Sequence, residues 1–359
     1  IMQGTSFAFV GVLAGIAAVQ GLGVALTACL IGGVIHFCLG AVIGRLRRLF
    51  PPLITGLVIL AIGLYLIPVA IKYAAGGAAS FQMEAESFGS LMHWTVALSV
   101  VIVALLLKFF TKGTTSSAAI LIGLIVGYLI ALAFGMVSFA PVAKASWITG
   151  ITPFPYGFEF SLGAVIAVTL VSIVSAIETV GDTSATTKAG AGREATSEEV
   201  AGATYADGLG TAVAGVFGGL PNTSFSQNVG IVGMTGIMSR HVVTIGAIVL
   251  ILCGLVPKIG AVIASMPLPV LGGGVIVMFG MVAAAGMNML SEVEMNRRNM
   301  LIIAVSLSVG LGLNLVPTAV QYLPGVVKTM AISGLLPTAL IAIVLTQILP
   351  EEISERAAS

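Results

Sequence analysis

The feature that most limits this chain is a series of apolar runs, each about twenty residues long and nearly free of charge, the length that spans a bilayer. They fall at 23–41, 53–71, 92–110, 117–134, 160–181, 200–217, 242–257, 268–287, 299–314 and 329–349. Two more segments, 1–19 and 224–236, are too short or too interrupted to be plain spans, which makes about twelve in all. Backbone in lipid must satisfy its own hydrogen bonds, so such runs fold as helices. Composition agrees, with 58% hydrophobic and 8% charged residues, against roughly one quarter charged in soluble domains. The expected class is an all-α polytopic membrane protein.

The charges test this layout. With Ile1 on the cytoplasmic side, the inner loops hold Arg45, Arg47, Arg48, Lys108, Lys112, Lys188, Arg193, Arg240, Arg297, Arg298 and Arg356. The outer loops hold Lys72, Lys144, Lys258 and Lys328. Eleven against four, of 15 in all, is a strong positive-inside bias, with Lys108 at the cytoplasmic end of 92–110. Both ends are then expected in the cytoplasm of a cell (inner) membrane protein. A net charge of +1 argues against a nucleic-acid partner. The polar stretch 188–199 reads as a cytoplasmic linker, with Thr196 and Glu199 at capping-box spacing.

Residue types that often carry chemistry have plain readings here. Cys29, Cys38 and Cys253 read as small buried hydrophobes. His36, His93 and His241 read as packing or surface residues without metal-ligand spacing, so no metal is expected. Gly272-Gly-Gly274 lies inside an apolar run with no Lys-Ser/Thr after it, which excludes a phosphate loop. No nucleophile–base order stands in a supporting context, so no enzyme is expected.

The run Thr223-Ser-Phe-Ser-Gln-Asn-Val-Gly-Ile-Val-Gly-Met-Thr-Gly236 breaks the apolar pattern. Gly218-Gly-Leu-Pro221 before it should end any arriving helix. A short, glycine-punctuated polar segment between apolar ones marks a discontinuous membrane helix, and such irregular backbone is tolerated only when buried or lining a cavity. Thr223-Ser-Phe225 echoes Thr5-Ser-Phe7, where a short β-prone stretch, 5–9, also opens a broken segment. Pro51-Pro52 follows the first copy 46 residues on, Pro267-Leu-Pro269 follows the second 44 residues on, and a glycine-rich span comes after each. Order and spacing together indicate an internal repeat. Seven spans separate the copies, so they cross in opposite senses, the pattern of secondary transporters. The second copy is preceded by two spans and the first by only four residues. Two further N-terminal helices, on the order of 60 residues, are therefore expected, giving fourteen spans as seven plus seven.

Three acids sit within or at the ends of apolar spans: Glu178, Asp182 and Asp207. An acid at the bilayer centre costs roughly 2.5–3.5 kcal/mol on the most lenient scale, so a reason is needed. Glu178 and Asp182 are four apart, on one helical face, and like charges that close suit the sharing of one proton.

Gln227-Asn-Val-Gly-Ile-Val-Gly-Met-Thr235-Gly236 resembles the signature of the nucleobase–ascorbate transporter family, also called the second nucleobase–cation symporter family. Ser175-Ala-Ile-Glu178-Thr-Val-Gly-Asp182 resembles its acidic helix, and the likeness runs from Gly4-Thr-Ser-Phe7 through Ala206-Asp-Gly208 to Leu-Pro-Glu-Glu352. It implies fourteen spans in two inverted repeats, a core domain over 1–50 and 157–265, a gate domain over 51–156 and 266–359, and a homodimer. It implies substrate-binding roles for Glu178, Gln227, Phe7, Ser6 and Ser226, with Phe7 stacking on a ring. Asp182, Asn228, Asp207 and Thr235 would support the site or proton coupling. Gln227, where uracil-type members carry Glu, and Gly236 resemble the bacterial branch that takes uric acid and xanthine.

The residue chemistry points the same way. An oxidised purine is edged with N–H and C=O groups, which a carboxylate and a Gln amide match, and an aromatic ring can stack on its face. Half-helix N-termini favour an anion such as urate. The expected function is proton-coupled purine uptake by alternating access, with the coupling proton in place of a cofactor and the lipid bilayer as surroundings. A uracil-type symporter or an anion transporter of the same architecture is the alternative.

Overall fold

The structure, a computed structural model, describes residues 1–46, 51–77, 80–81 and 83–350, apart from the side chains at 45, 46, 230, 234 and 326. The side chain of Arg45, all of Arg47, Arg48 and Arg356, and the 351–352 pair from the sequence reading lie outside the described residues. The chain is 74% helical. Six described helices are long and apolar enough to cross a membrane: Leu22–Gly44 within Leu22–Leu46, Pro52–Ala74, Leu91–Phe110, Leu162–Ala191, Leu268–Ser291 and Arg297–Leu315. The pair Arg240–Gly254 and Pro257–Ala264, bent by 90°, makes a seventh if taken as one span. Val10–Gln20, Ala119–Ala133 and Leu335–Ile348 are shorter apolar helices. The chain is a multi-pass membrane protein.

Two boundaries and one side chain depart from the sequence reading. The 160–181 run extends to Ala191, where Gly192 takes φ +66° and ends it, so Lys188 is helical and the linker is shorter than expected. The 329–349 run is two helices, Gly325–Ile332 and Leu335–Ile348, parted at Gly334 with φ +72°. Cys29 is buried and Cys253 is half-buried, but Cys38, expected as a buried hydrophobe, is exposed on its apolar helix.

Cα proximity divides the chain into two compact units. The first comprises Ile1–Tyr65, Thr152–Gly236 and Val282–Ser359. Its closest pairing is between Leu22–Leu46 and Ser197–Val216, which run antiparallel. A Cβ on Gly33 would lie 2.4 Å from the Ala212 nitrogen, and one on Gly208 would lie 2.1 Å from the Phe37 nitrogen. Only glycine lets membrane helices approach this closely. Leu162–Ala191 packs on both of them, with Ile43, Ala176, Val180, Ala195 and Val200 forming a buried cluster. Elsewhere in this unit Leu53, Leu57 and Leu60 pack with Ala283, Leu290, Ile302 and Ala342.

The same unit holds a two-stranded antiparallel sheet. β1 is Gln3–Thr5 and β2 is Asn222–Ser224, in the register Gln3↔Ser224, Gly4↔Thr223, Thr5↔Asn222. The β-prone stretch expected at 5–9 is therefore strand only as far as Thr5. Helix Ser197–Val216 stops before Gly218, which takes φ +79°, and Pro221 then accepts a hydrogen bond from the Ser6 N–H at 2.8 Å. The second unit comprises Leu66–Ile151 and Ile237–Met281, with Val96, Val100, Ala131 and Val270 at its core.

Candidate functional site

Each strand hands the chain to a short helix. After β1 come Ser6 to Phe9 and then helix Val10–Gln20; after β2 come Phe225 and Ser226 and then helix Gln227–Thr235. Neither helix has a side-chain cap at its N-terminus, so the first-turn N–H groups carry their partial positive charge unscreened by a capping oxygen. Antiparallel pairing brings Phe7 and Phe225 together. Their rings are 5.9 Å apart between centroids and 8° from parallel. Gly4 permits this, because a Cβ there would lie 2.5 Å from the Phe225 ring.

The rings border a narrow pocket inside the first unit. Ser6, Phe7, Ile62, Glu178, Thr223, Ser224, Phe225, Ser226, Gln227 and Val282 line it. Glu178, Ser6 and Ser226 are buried, and Gln227 is half-buried. Four polar atoms here are shielded from solvent and have no hydrogen-bond partner among the described residues: Ser6 Oγ, Glu178 Oε2, Ser226 Oγ and Gln227 Nε2. Buried polar atoms are nearly always hydrogen-bonded, so a cluster left open in one cavity indicates a ligand or water that completes it.

The other two acids lie behind the wall. Asp207 is fully buried and accepts from the Thr179 hydroxyl at 2.5 Å, from the Ser224 N–H at 3.2 Å and from the Gln3 amide. Three donors on one carboxylate pin it between β1, β2 and helix Leu162–Ala191. Asp182 accepts from the Ser224 hydroxyl at 2.9 Å through Oδ2, while Oδ1 has no protein partner among the described residues. Thr211 donates to the Asn222 carbonyl at 3.0 Å and accepts from its N–H at 3.1 Å, which clamps β2 from the helix before it.

Five residues named from sequence as substrate contacts therefore line one cavity: Ser6, Phe7, Glu178, Ser226 and Gln227. Asp182 and Asp207 stand beside it. Asn228 is half-buried, its backbone N–H bonded to the Phe225 carbonyl at 3.0 Å, and it is not among the lining residues. Thr235 is exposed at the far end of its helix, with its hydroxyl on the Ile231 carbonyl at 2.8 Å, and lies away from the cavity. Sequence reasoning gave no site role to Gln3, Ile62 or Val282, and marked Thr223, Ser224 and Phe225 only as part of the polar run 223–236, read as half of a binding site. The Thr-Ser-Phe echo contained the signal for Phe225, since it pairs that ring with Phe7. Among the described residues no three His, Cys, Asp or Glu side chains form a metal-binding group.

Comparison with known proteins places this chain among permeases. A family model described as a permease family matches residues 1–319. The uric acid permease PucK of Bacillus subtilis is 39% identical over 347 residues, covering 96% of this chain and 79% of that protein. The uric acid transporter UacT of Escherichia coli is 38% identical over 321 residues, covering 89% and 65%. A xanthine permease of Bacillus subtilis is 34% identical over 347 residues, covering 96% and 78%. Among solved structures, the transmembrane domain of a cyanobacterial bicarbonate transporter, BicA, superposes with a TM-score of 0.62 at 16% identity, covering 94% of this chain and 80% of that one. That last likeness is one of fold.

Proposed function

The chain belongs to the nucleobase–ascorbate transporter family, a family of permeases rather than enzymes, and on that premise we propose that it imports an oxidised purine, uric acid or xanthine, in symport with protons. The observation that carries the proposal is the set of open polar atoms beside two parallel rings: Ser6 Oγ, Glu178 Oε2, Ser226 Oγ and Gln227 Nε2 next to Phe7 and Phe225. A carboxylate oxygen accepts from ring N–H groups, an amide nitrogen donates to a ring carbonyl, and aromatic faces hold a flat heterocycle. The names of the relatives favour uric acid and xanthine over other purines. The bicarbonate transporter shares only the fold, and the cavity wall, which carries Glu178 and no Lys, Arg or His, suits a heterocycle better than a small inorganic anion.

Substrate enters with a proton held by the Glu178–Asp182 pair, and the broken segments close on it. A core domain of 1–50 and 157–265 then moves against a gate of 51–156 and 266–359, exposing the site to the other side of the membrane. Fourteen spans in inverted repeats, a homodimer and cytoplasmic ends complete the proposed architecture.

The test is uptake of labelled uric acid and xanthine by Glu178→Gln and Gln227→Ala, with uracil and hypoxanthine as competitors. Each variant loses a hydrogen bond in a closed polar site, and uptake is expected to fall roughly tenfold or more. Near-normal uptake by both variants would show that the cavity is not the substrate site. Strong competition by uracil but not by xanthine would move the protein to the uracil-type branch.

A further inference from the structure

We propose that Ser224 is the positioning residue through which a proton on Asp182 is felt in the cavity wall. The side chain and backbone of this one residue serve two different acids. Its hydroxyl donates to Asp182 Oδ2 at 2.9 Å, and its N–H donates to Asp207 Oδ2 at 3.2 Å. The two acids are held differently. Asp207 takes two further donors, from Thr179 and Gln3, and is fixed. Asp182 has the Ser224 hydroxyl on one oxygen and an open second oxygen. Ser224 is also the last residue of β2, and the next three residues, Phe225, Ser226 and Gln227, line the cavity with it.

A proton added to the Asp182 carboxylate makes a neutral carboxylic acid, and a neutral oxygen holds the Ser224 hydroxyl more weakly than a charged one. The bond to Asp207 persists, because its donor is backbone. Proton uptake therefore loosens one of the two ties on Ser224 while the strand stays anchored by the other. Ser224 and the three residues after it all line the cavity, so the tie acts at the wall itself. The inference rests on the proton-coupled reading above.

The Ser226 hydroxyl, two residues past Ser224, also lies close to the Asp182 carboxylate. Glu178 stands one turn away on the same helix, and Asp207 is on Ser197–Val216. Val10–Gln20, Gln227–Thr235 and Leu335–Ile348 also pack on the acidic helix and carry no titratable side chain. Leu22–Leu46 brings His36, Cys29 and Cys38, and Gly325–Ile332 brings Lys328. At Gly181, beside Asp182, the nearest side chains are Thr55, Ile59 and Met289.

The test compares Ser224→Ala with Ser224→Thr in the full chain in proteoliposomes, reading the KM for uric acid or xanthine as a function of pH. Loss of one bond to a charged group is worth roughly tenfold, so Ser224→Ala is expected to flatten the pH dependence of KM by about that factor. Ser224→Thr, which keeps the hydroxyl, is expected to retain it. In an Asp182→Asn background, Ser224→Ala is expected to add nothing to the pH profile. A wild-type pH profile in Ser224→Ala, or equal loss in both Ser224 variants, overturns the inference. If the wild type shows no pH-dependent purine uptake, the proposed function fails, and the Ser224 link is then decided by difference infrared spectroscopy. There the carboxyl band abolished by Asp182→Asn must shift in Ser224→Ala and not in Ser224→Thr. An unmoved band overturns the link by itself.

Discussion

The two strand–helix segments, Gln3–Gln20 and Asn222–Thr235, share a plan and divide the labour. Each is a three-residue strand leading to a half-length helix, of 11 residues in the first and 9 in the second. Each helix is followed by a glycine with positive φ, Gly21 at 91° and Gly236 at 66°. Each presents a phenylalanine to the same cavity. The contents then diverge. The first segment fills its turn and helix with buried apolar side chains, Phe9, Val12, Leu13 and Ile16. The second opens its helix with Gln227 and Asn228 and ties its strand to Asp182 and Asp207. Two segments of like plan thus give a packed wall and a polar wall tied to two acids, and the asymmetry lies in side chains rather than in backbone.

The comparison can be broken most severely at Gly4. Its neighbour across the strands is Thr223, which has a side chain, whereas a Cβ at Gly4 would sit 2.5 Å from the Phe225 ring. Gly4→Ala is expected to displace that ring and cost about 1–3 kcal/mol, as overpacking does elsewhere. Purine uptake is expected to fall by more than tenfold with the protein still folded. Normal uptake by Gly4→Ala would mean that the two walls do not need their close approach.

A smaller effect sharpens the comparison. If the walls contribute their rings alike, Phe7→Ala and Phe225→Ala should each weaken purine uptake by a similar factor, up to about tenfold, the worth of an aromatic stacking contact beyond its area. Phe7→Trp and Phe225→Trp should each do better than the alanine variants. A loss confined to Phe225→Ala would show that the second wall carries both the stacking and the hydrogen bonding.

Much of this pair was legible in the sequence, and for a definite reason. Polar residues in lipid are costly, so Glu178, Gln227 and the Thr-Ser-Phe triplets stand out against apolar surroundings and share a cavity wall. Ile62 and Val282 could not stand out, because one more aliphatic residue in an apolar helix carries no mark of which way it faces. Gln3 carries no mark in the sequence, and only the pairing of β1 with β2 brings its amide to Asp207. Ser224 was visible in its triplet, but its bonds to Asp182, 42 positions away, and to Asp207, 17 away, depend on helix packing that no local pattern encodes. His36 read as a packing or surface residue; it is wholly buried, and neither ring nitrogen has a protein partner among the described residues.

The smallest effect is expected outside the membrane, on the approach to the second wall alone. Helix Ser197–Val216 leads into β2 and opens with a capping box: the Thr196 hydroxyl accepts from the Glu199 N–H at 3.2 Å, and the Glu199 carboxylate accepts from the Thr196 N–H at 2.8 Å. Arg193 adds a two-pronged contact to the same carboxylate at 2.6 and 2.9 Å. The Arg193 hydrogen bonds, and after them the Thr196 N–H, hold the Glu199 carboxyl down at about 2 from an ordinary value of 4.5. A carboxyl with a depressed folded value stabilises the folded state above its unfolded value and loses that contribution as the pH falls toward the folded one. The window for Glu199 therefore runs from about pH 4.5 down to about pH 2. Because the cluster is exposed to solvent, the effect is slight and salt-sensitive. In thermal melts of the wild type and Glu199→Gln, the gap in Tm should be constant above about pH 5, narrow as acid enters that window, and shrink when salt is added at neutral pH. A gap that ignores both acid and salt would mean that the entry to the second wall is held by the Thr196 cap without help from charge.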